Sequence, residues 1–163
     1  MRSDLVERVT SRGHSTEATG IAHVLGNKGS AALSFTLDNQ TSFAFVSSHL
    51  AAQAKFKRLL KRQENYEETC QGLRGLDGKF KGVEFLHKFD HIFWFGDFNY
   101  RVDFQDHGTV MEYNAVLKII KEQQHVEFLL PKDQLTQQMD MQRVFVGFKE
   151  APISFQPTYR WVK

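Results

Sequence analysis

The sequence predicts an α/β fold with a mixed β-sheet, and two observations support this prediction. Strand-like and helix-like periodicities alternate along the 163 residues, but without a regular strand–helix–strand repeat. Fifteen phenylalanines, many for this length, recur at strand-like spacings, which indicates a sheet-rich core. A mixed sheet is therefore favoured over the parallel sheet of a doubly wound fold.

The first part of the chain contains one clear supersecondary motif. Residues 1–19 are polar and weakly patterned. Apolar and polar side chains alternate over 33–37, turn-forming residues follow at 38–40, and a second apolar run begins at Phe43. This order predicts a β-hairpin over 30–48.

The middle of the chain predicts one helix and one strand. Apolar residues at helical spacing predict an amphipathic helix over 54–71. An apolar run at 91–95, bounded by charge and glycine, predicts a buried central strand. Because no repeat, low-complexity tract or linker interrupts the pattern, residues 1–163 are predicted to belong to a single domain.

The last third of the chain predicts shorter elements. Helices are expected over 110–121 and 134–142, the second with Asp133 as its N-cap. Short strands are expected at 144–146 and 153–159.

The composition is that of an ordinary globular protein, with 41% hydrophobic and 25% charged residues. A net charge of +2 argues against a general nucleic-acid binder but permits a local basic pocket. The single cysteine, Cys70, excludes an internal disulfide and suits a reducing compartment. Neither an apolar run long enough to span a membrane nor a signal-peptide pattern occurs, so a cytoplasmic protein is expected.

A Gly-Asp-Phe-Asn segment, 96–99, follows the predicted strand at 91–95. In extended chain, Asp97 and Asn99 would share one face of the strand. A carboxylate there can orient or deprotonate water, and an amide can donate a hydrogen bond to a phosphoryl oxygen. Since Gly, Asp and Asn also favour turns, an ordinary strand-to-turn transition is the alternative.

Two further segments carry polar groups next to the predicted hairpin. His49, at the end of its second strand, could contact a phosphate, although a lone histidine there is more often structural. In the Gly-Asn-Lys-Gly segment 26–29, glycines allow close backbone approach to an anion, and Asn27 and Lys28 add donors. The alternative for 26–29 is a plain turn that leads into the hairpin.

Near the end of the chain, Pro157 precedes Tyr159 and Arg160, whose hydroxyl and guanidinium suit a phosphate. In isolation this segment could equally be a proline-containing edge strand. The histidines show no zinc-ligand spacing, so zinc is not expected.

Basic residues cluster on the helix predicted over 54–71. They could face an anionic membrane, but the solvated polar face of an amphipathic helix is the favoured interpretation. The cluster comprises Lys55, Lys57, Arg58, Lys61 and Arg62.

Taken together and in this order, the motifs resemble those of the inositol polyphosphate 5-phosphatases, most closely the SHIP-type phosphatidylinositol 3,4,5-trisphosphate 5-phosphatases. The resemblance runs over 19–161 and rests above all on the Trp-Phe-Gly-Asp-Phe-Asn-Tyr-Arg segment 94–101. It implies a DNase I-like four-layer sandwich of two mixed β-sheets flanked by helices. It also implies Mg²⁺-dependent hydrolysis of the 5-phosphate of phosphoinositides or inositol polyphosphates, at the cytosolic face of membranes.

The resemblance also implies roles for individual residues. Asp97 would activate the attacking water, Asn99 would hold the scissile phosphate, and His49 would stabilise the developing charge. Tyr159 and Arg160 would bind the neighbouring 4-phosphate. The substrate pocket would be lined by Asn27, Lys28 and Arg101.

Three family motifs are missing from these 163 residues, namely the metal-binding glutamate and two later catalytic segments. We therefore expect these residues to be a central portion of the catalytic domain, incomplete at both ends. We expect this portion to be inactive alone, and the main metal ligand to lie upstream of it. Two alternatives stay open: a catalytically dead phosphoinositide-binding module, and another DNase I-like phosphodiesterase such as a sphingomyelinase or endonuclease.

Overall fold

The computed structural model describes residues 3–19, 27–53, 56–103 and 113–158. The chain divides into two compact units, Met1–Asn99 and Tyr100–Lys163. The first unit contains a β-sheet and the helix that covers it, and the second is built from short helices.

The first unit begins with a short helix, α1 (Ser3–Val6), and is organised around a four-stranded sheet with the strand order β1-β2-β3-β4. Strands β1, β2 and β3 pair antiparallel, whereas β3 and β4 pair parallel. The predicted mixed sheet is therefore confirmed. The strands are β1 (Val9–Ala18), β2 (Gly29–Leu37), β3 (Thr41–His49) and β4 (His91–Asp97).

Helix α2 (Phe56–Gly72) lies between β3 and β4 in the sequence and belongs to the crossover that a parallel strand pair needs. A 3₁₀ turn at Phe85–His87 follows before β4 begins. The predicted hairpin and the predicted helix over 54–71 are both confirmed.

The core lies on one face of the sheet. Strand residues alternate between the two faces, so Ala32, Ala44 and Val46 point to the same side. The segment after α2 covers them with four buried apolar side chains, from Leu73, Leu76, Phe85 and Phe89.

The opposite face of the sheet carries an aromatic stripe. The rings of Phe35 and Phe43 stack with centroids 5.3 Å apart, and those of Phe45 and Phe93 stack at 5.0 Å. Phe93 and Phe95 are each about half exposed. The prediction of a strand at 91–95 is therefore correct, but the prediction that it is a buried central strand is wrong for the described residues, in which β4 is half exposed and lies at the edge of the sheet.

Strand β1 was not predicted, because 1–19 contain too few apolar residues to show a period of two. Its side chains alternate between partly buried and exposed, and none from Val9 to Ala18 is fully buried. A strand that pairs along one edge only, and packs lightly, needs no apolar alternation.

The second unit contains three α-helices in its described part, α3 (Tyr113–Lys121), α4 (His125–Phe128) and α5 (Gln134–Asp140), with a 3₁₀ turn at Leu130–Lys132 between the last two. Asp133 caps α5, since its carboxylate accepts a 2.8 Å hydrogen bond from the backbone N–H of Thr136. Both predicted helices are confirmed over the described residues, although 104–112 lie outside them. Over the ranges described, no helix is long and apolar enough to cross a bilayer.

The short strands predicted at 144–146 and 153–159 are wrong over the described residues, where turns and bends occur instead. Phe145 has a φ of 52°, which a strand cannot accommodate. Val144 and Phe145 are both buried, so consecutive side chains point inward rather than alternately.

Candidate active site

A cleft of about 530 Å³ lies at one end of the sheet in the first unit. Strand pairing explains why its polar residues meet there. In the parallel pair, His49 of β3 lies beside Asp97 of β4, and in the antiparallel pair His49 lies beside Gly29 of β2. Lys28, which precedes Gly29, therefore reaches the same place.

Lys28, His49 and Asp97 form a close group in this cleft. Nζ of Lys28 lies 3.0 Å from Nε2 of His49, and Oδ2 of Asp97 lies 3.6 Å from the same nitrogen. A lysine ammonium can only donate, so Nε2 accepts and the histidine proton is assigned to Nδ1. The histidine is then neutral, and its 3.6 Å separation from Asp97 is longer than a hydrogen bond.

Asp97 and Asn99 are joined by a turn. The backbone N–H of Asn99 donates to Oδ1 of Asp97 at 3.0 Å, and Asn99 has a φ of 57°. The left-handed conformation ends the alternation of the strand, so the expectation of a shared extended face is wrong. The side-chain amide of Asn99 donates to the carbonyl of Leu50, whose own N–H donates to the carbonyl of Asp97. Asn99 thereby fastens the loop that carries Asp97.

Gly96 allows the backbone of β4 to lie close to Ser48 of β3. Its φ is 131°, and a Cβ atom at this position would collide with the carbonyl oxygen and nitrogen of Ser48. Only glycine can fill such a position without strain. The glycine of the Gly-Asp-Phe-Asn segment is thus explained by strand packing beside the cleft.

A chain of buried polar groups lies directly beneath the cleft. Nε1 of Trp94 donates a 2.8 Å hydrogen bond to Oγ of Ser48. The same oxygen of Ser48 lies 2.7 Å from Oγ of Ser30. Oγ of Ser30 lies 2.8 Å from the hydroxyl of Thr69, which donates to the carbonyl of Asn65. We call the side chains of Trp94, Ser48, Ser30 and Thr69 the buried hydroxyl chain.

Helix α2 also holds the segment that follows His49. Asn65 accepts a 3.1 Å hydrogen bond from the N–H of Ala51. Nη1 of Arg62 donates to the carbonyls of Ala51 and Gln53, at 3.2 and 3.0 Å. Arg62 is fully buried, so its predicted place on a solvated helix face is wrong. Lys57 and Arg58 are exposed as predicted, and Lys55 lies outside the described residues.

The remaining predicted site residues are placed as follows. Asn27 lines the cleft, and its carbonyl accepts a 3.3 Å hydrogen bond from Lys28. Arg101 belongs to the second unit, where its N–H donates to the side chain of Gln134. Tyr159 and Arg160 lie outside the described residues.

The second unit has a cavity of its own, of about 220 Å³, lined mainly by apolar side chains. Its described lining includes the carboxylates of Asp133 and Glu150 but no lysine or arginine. Burial, followed by the nearby carboxylate of Asp133, raises the pKa of Glu150. A phosphate would be repelled there, so the cleft of the first unit is the candidate site.

The described residues of the cleft do not form a complete metal site. They offer the carboxylates of Glu17 and Asp97, together with amide oxygens. Within the ranges described, no group of three or more His, Cys, Asp and Glu side chains is close enough to hold a metal ion. Mg²⁺ is often held by one or two carboxylates, with water and substrate phosphates completing its shell. Asp97 suits such a role.

Sequence reasoning missed the buried hydroxyl chain and Glu17. The signal for the serines was present, because Ser30 and Ser48 occupy inward positions of strands where apolar residues are the rule. Glu17 lies in β1, which showed no strand pattern.

Residues 1–163 match the Endonuclease/Exonuclease/phosphatase family 2. The chain is 43% identical over 143 residues to human phosphatidylinositol 3,4,5-trisphosphate 5-phosphatase 1, covering 88% of this chain and 11% of that protein. It is 34% identical over 161 residues to zebrafish (Danio rerio) phosphatidylinositol 3,4,5-trisphosphate 5-phosphatase 2A, covering 99% of this chain and 12% of that protein.

A solved structure is also similar to this chain. The inositol polyphosphate 5-phosphatase domain of SPsynaptojanin, in complex with inositol (1,4)-bisphosphate and calcium ion, superposes with a TM-score of 0.78 at 31% identity. The match covers 98% of this chain and 41% of that one. The chain thus spans about a tenth of the curated relatives and under half of the solved domain. These matches confirm the predicted DNase I-like fold class, and the chain belongs to the Endonuclease/Exonuclease/phosphatase family 2, in its inositol polyphosphate 5-phosphatase branch.

Proposed function

We propose that the protein containing this chain hydrolyses the 5-phosphate of phosphoinositides or inositol polyphosphates. The observation that carries the proposal is the group formed by Lys28, His49 and Asp97 at one end of the sheet. It places a cation, a proton acceptor and a carboxylate in one open cleft. The names of the relatives indicate the same substrate class.

The geometry divides the work of phosphoryl transfer between these residues. The ammonium of Lys28 stabilises negative charge on the transferred group, since positioning and charge stabilisation dominate this chemistry. Asp97 orients the attacking water, and its carboxylate is held by the N–H of Asn99. His49 keeps Lys28 beside Asp97, and it stabilises the transition state when the substrate arrives.

The other predicted site residues complete the proposal. Asn27 lines the substrate pocket, Arg101 contributes a guanidinium, and Asn99 contacts the scissile phosphate. Tyr159 and Arg160 bind the 4-phosphate, because a guanidinium and a hydroxyl together match phosphate geometry.

A Mg²⁺ ion, when bound, would polarise a phosphoryl oxygen of the substrate. Asp97 would be its contact within this chain, and the main ligand lies in sequence outside these 163 residues. The calcium ion in the solved relative's complex supports dependence on a divalent metal.

The protein is further proposed to work in the cytoplasm, at the cytosolic face of membranes and in phosphoinositide signalling. Support comes from the relatives, which are named for a membrane lipid. With a net charge of +2, the chain is not proposed to bind nucleic acid.

We propose that residues 1–163 are one part of a single catalytic domain. The solved domain is more than twice the length that the chain matches. We therefore expect the 163-residue chain alone to release no phosphate.

The test is phosphate release from a soluble phosphatidylinositol 3,4,5-trisphosphate by a protein that carries this chain with its flanking sequence, with Mg²⁺ or EDTA. We expect Mg²⁺-dependent turnover that Asp97→Asn abolishes and Lys57→Gln, a change on an exposed lysine of α2, leaves intact. Substrate binding with no turnover would replace the proposal by a binding module. Turnover of sphingomyelin or abasic DNA instead would assign another member of the superfamily.

A further inference from the structure

The buried hydroxyl chain has a single direction. Its first member, the indole of Trp94, can only donate, so Ser48 accepts from it. At the other end, Thr69 donates its one hydroxyl hydrogen to the carbonyl of Asn65. Thr69 therefore accepts from Ser30, and Ser30 accepts from Ser48. Each hydroxyl of the chain thus donates one hydrogen bond and accepts one.

The buried hydroxyl chain connects helix α2 to the three strands that carry the candidate site. Trp94 lies three residues before Asp97 in β4, and Ser48 immediately precedes His49 in β3. Ser30 lies two residues after Lys28, in β2. Thr69 lies on α2 and is fully buried.

The strand ends need such a connection because side-chain packing is sparse there. Gly29 pairs with His49, and Gly96 pairs with Ser48, so two of the three strands carry a glycine at or next to the site end. Backbone pairing sets the register and spacing of the strands, but the position of α2 on the sheet depends on the side chains that lie between the helix and the strands.

We propose that Thr69, acting through the hydroxyls of Ser30 and Ser48, is a positioning residue for the Lys28–His49–Asp97 group. Removal of one hydroxyl leaves a buried donor without an acceptor on one side and an acceptor without a donor on the other. Since hydrogen bonds in a chain strengthen one another, the strand ends relax together. The 3.0 Å contact between Lys28 and His49 is then lost.

The inference rests on the proposed function, because its effect is measured as turnover. The test uses the catalytic domain with its flanking sequence and the soluble trisphosphate substrate. Thr69→Val removes the hydroxyl at nearly constant shape, whereas Thr69→Ser retains it. We expect Thr69→Val to lower kcat about 10-fold while KM changes less than about twofold, since small misplacements of reacting groups reduce rate strongly. Thr69→Ser, which keeps the hydroxyl, should retain a kcat within about twofold of the parent.

The matched control is Ser42→Ala. Ser42 is a fully buried serine on the same strand and the same face as Ser48, and its hydroxyl is also hydrogen bonded, to Asp90. It lies at the opposite end of β3, about 20 Å from Ser48 at the usual rise per residue. We expect Ser42→Ala to lower Tm and leave kcat unchanged.

The outcomes separate the inference from the proposed function. If Asp97→Asn abolishes turnover but Thr69→Val keeps the parental kcat, the inference is overturned and the function stands. An equal loss of kcat in Ser42→Ala would also overturn it, because the effect would then be one of general stability. If Asp97→Asn has no effect, the proposed function itself fails. Should Thr69→Val not fold, Ser30→Ala replaces it, as it leaves α2 unchanged.

Discussion

The ammonium nitrogen of Lys28 lies 3.0 Å from Nε2 of His49, the nitrogen that also lies 3.6 Å from the carboxylate of Asp97. Two oppositely charged groups thus compete for one nitrogen. The nitrogen of His49 thereby holds the ammonium of Lys28 and the carboxylate of Asp97 at the same place in the cleft.

Lys28→Met should therefore reduce kcat/KM in the active domain by about 100-fold, as expected for removal of one charge-stabilising donor. The measurement is steady-state phosphate release from the soluble trisphosphate. Lys57→Met, at an exposed position on α2, serves as the control and should stay within about twofold of the parent. A Lys28→Met variant with parental kcat/KM would exclude the lysine from the chemistry.

Gly96→Ala should destabilise the chain by more than about 2 kcal/mol, because its Cβ meets the backbone of Ser48. Urea unfolding followed by circular dichroism gives the free energy of unfolding. Gly82→Ala is the control, since Gly82 also has a positive φ, of 76°, but open space around the added Cβ. It should cost about 1–2 kcal/mol, the left-handed strain alone. Equal losses in both variants would show that strand packing does not select glycine at 96.

Arg62→Leu should lower the free energy of unfolding by about 2–4 kcal/mol, because it leaves the carbonyls of Ala51 and Gln53 without their shared donor. The same substitution at Lys57, exposed on the same helix, should change it by less than about 0.5 kcal/mol. Chemical denaturation of the two variants side by side makes the comparison. If both behave alike, Arg62 contributes only as a solvated charge, as the sequence suggested.

Asp90 should make the stability of the chain sensitive to acid. The N–H and hydroxyl of Ser42, and then Lys79, lower the pKa of Asp90 below its usual 3.8. A lowered folded-state pKa contributes stability that is present above the unfolded value and is lost as pH falls through the folded value. Asp90→Asn should therefore reduce Tm at neutral pH, and the difference should shrink below pH 3.8. A difference in Tm that is independent of pH would contradict this assignment.

Cys70 should react slowly with alkylating reagents in the folded chain. Burial is the main cause that raises the pKa of its thiol, to about 11, so little thiolate exists at neutral pH. Alkylation by iodoacetamide near pH 8, followed by mass spectrometry, should be at least about 100-fold slower than in urea, where the thiol pKa is near 8.5. Similar rates in both conditions would show that Cys70 is not shielded.

Elements with a clear hydrophobic period could be predicted from the sequence. Apolar and polar side chains alternate over 33–37 of the hairpin, and α2 shows a helical stripe, so both elements were found with nearly correct bounds. Strand β1 could not be predicted because its side chains are partly buried on one face and exposed on the other, so they show no apolar alternation. The buried pair Val144 and Phe145 resembles a strand, but the positive φ of Phe145 depends on packing within a turn.

The candidate site could be predicted only in part. Asn27, Lys28, His49 and Asp97 were identified, and the register of three strands brings them together. The turn at Asn99 was given only as the alternative to an extended face, because its backbone conformation is set by hydrogen bonds to Leu50 and Asp97. The link from Ser30 to Thr69 joins residues 39 positions apart, and no local pattern reveals such a contact.

The two faces of the β1–β4 sheet differ in which side chains can be replaced without affecting the candidate site. The core face holds the buried hydroxyl chain, and the aromatic face carries His49 and Asp97 at its end. Leu33 and Phe93 are exposed in this chain and lie in the interior of their strands, so either can be replaced without touching the candidate site. Phe95 offers no such freedom: two residues further along the same face is the carboxylate on which the proposed chemistry depends.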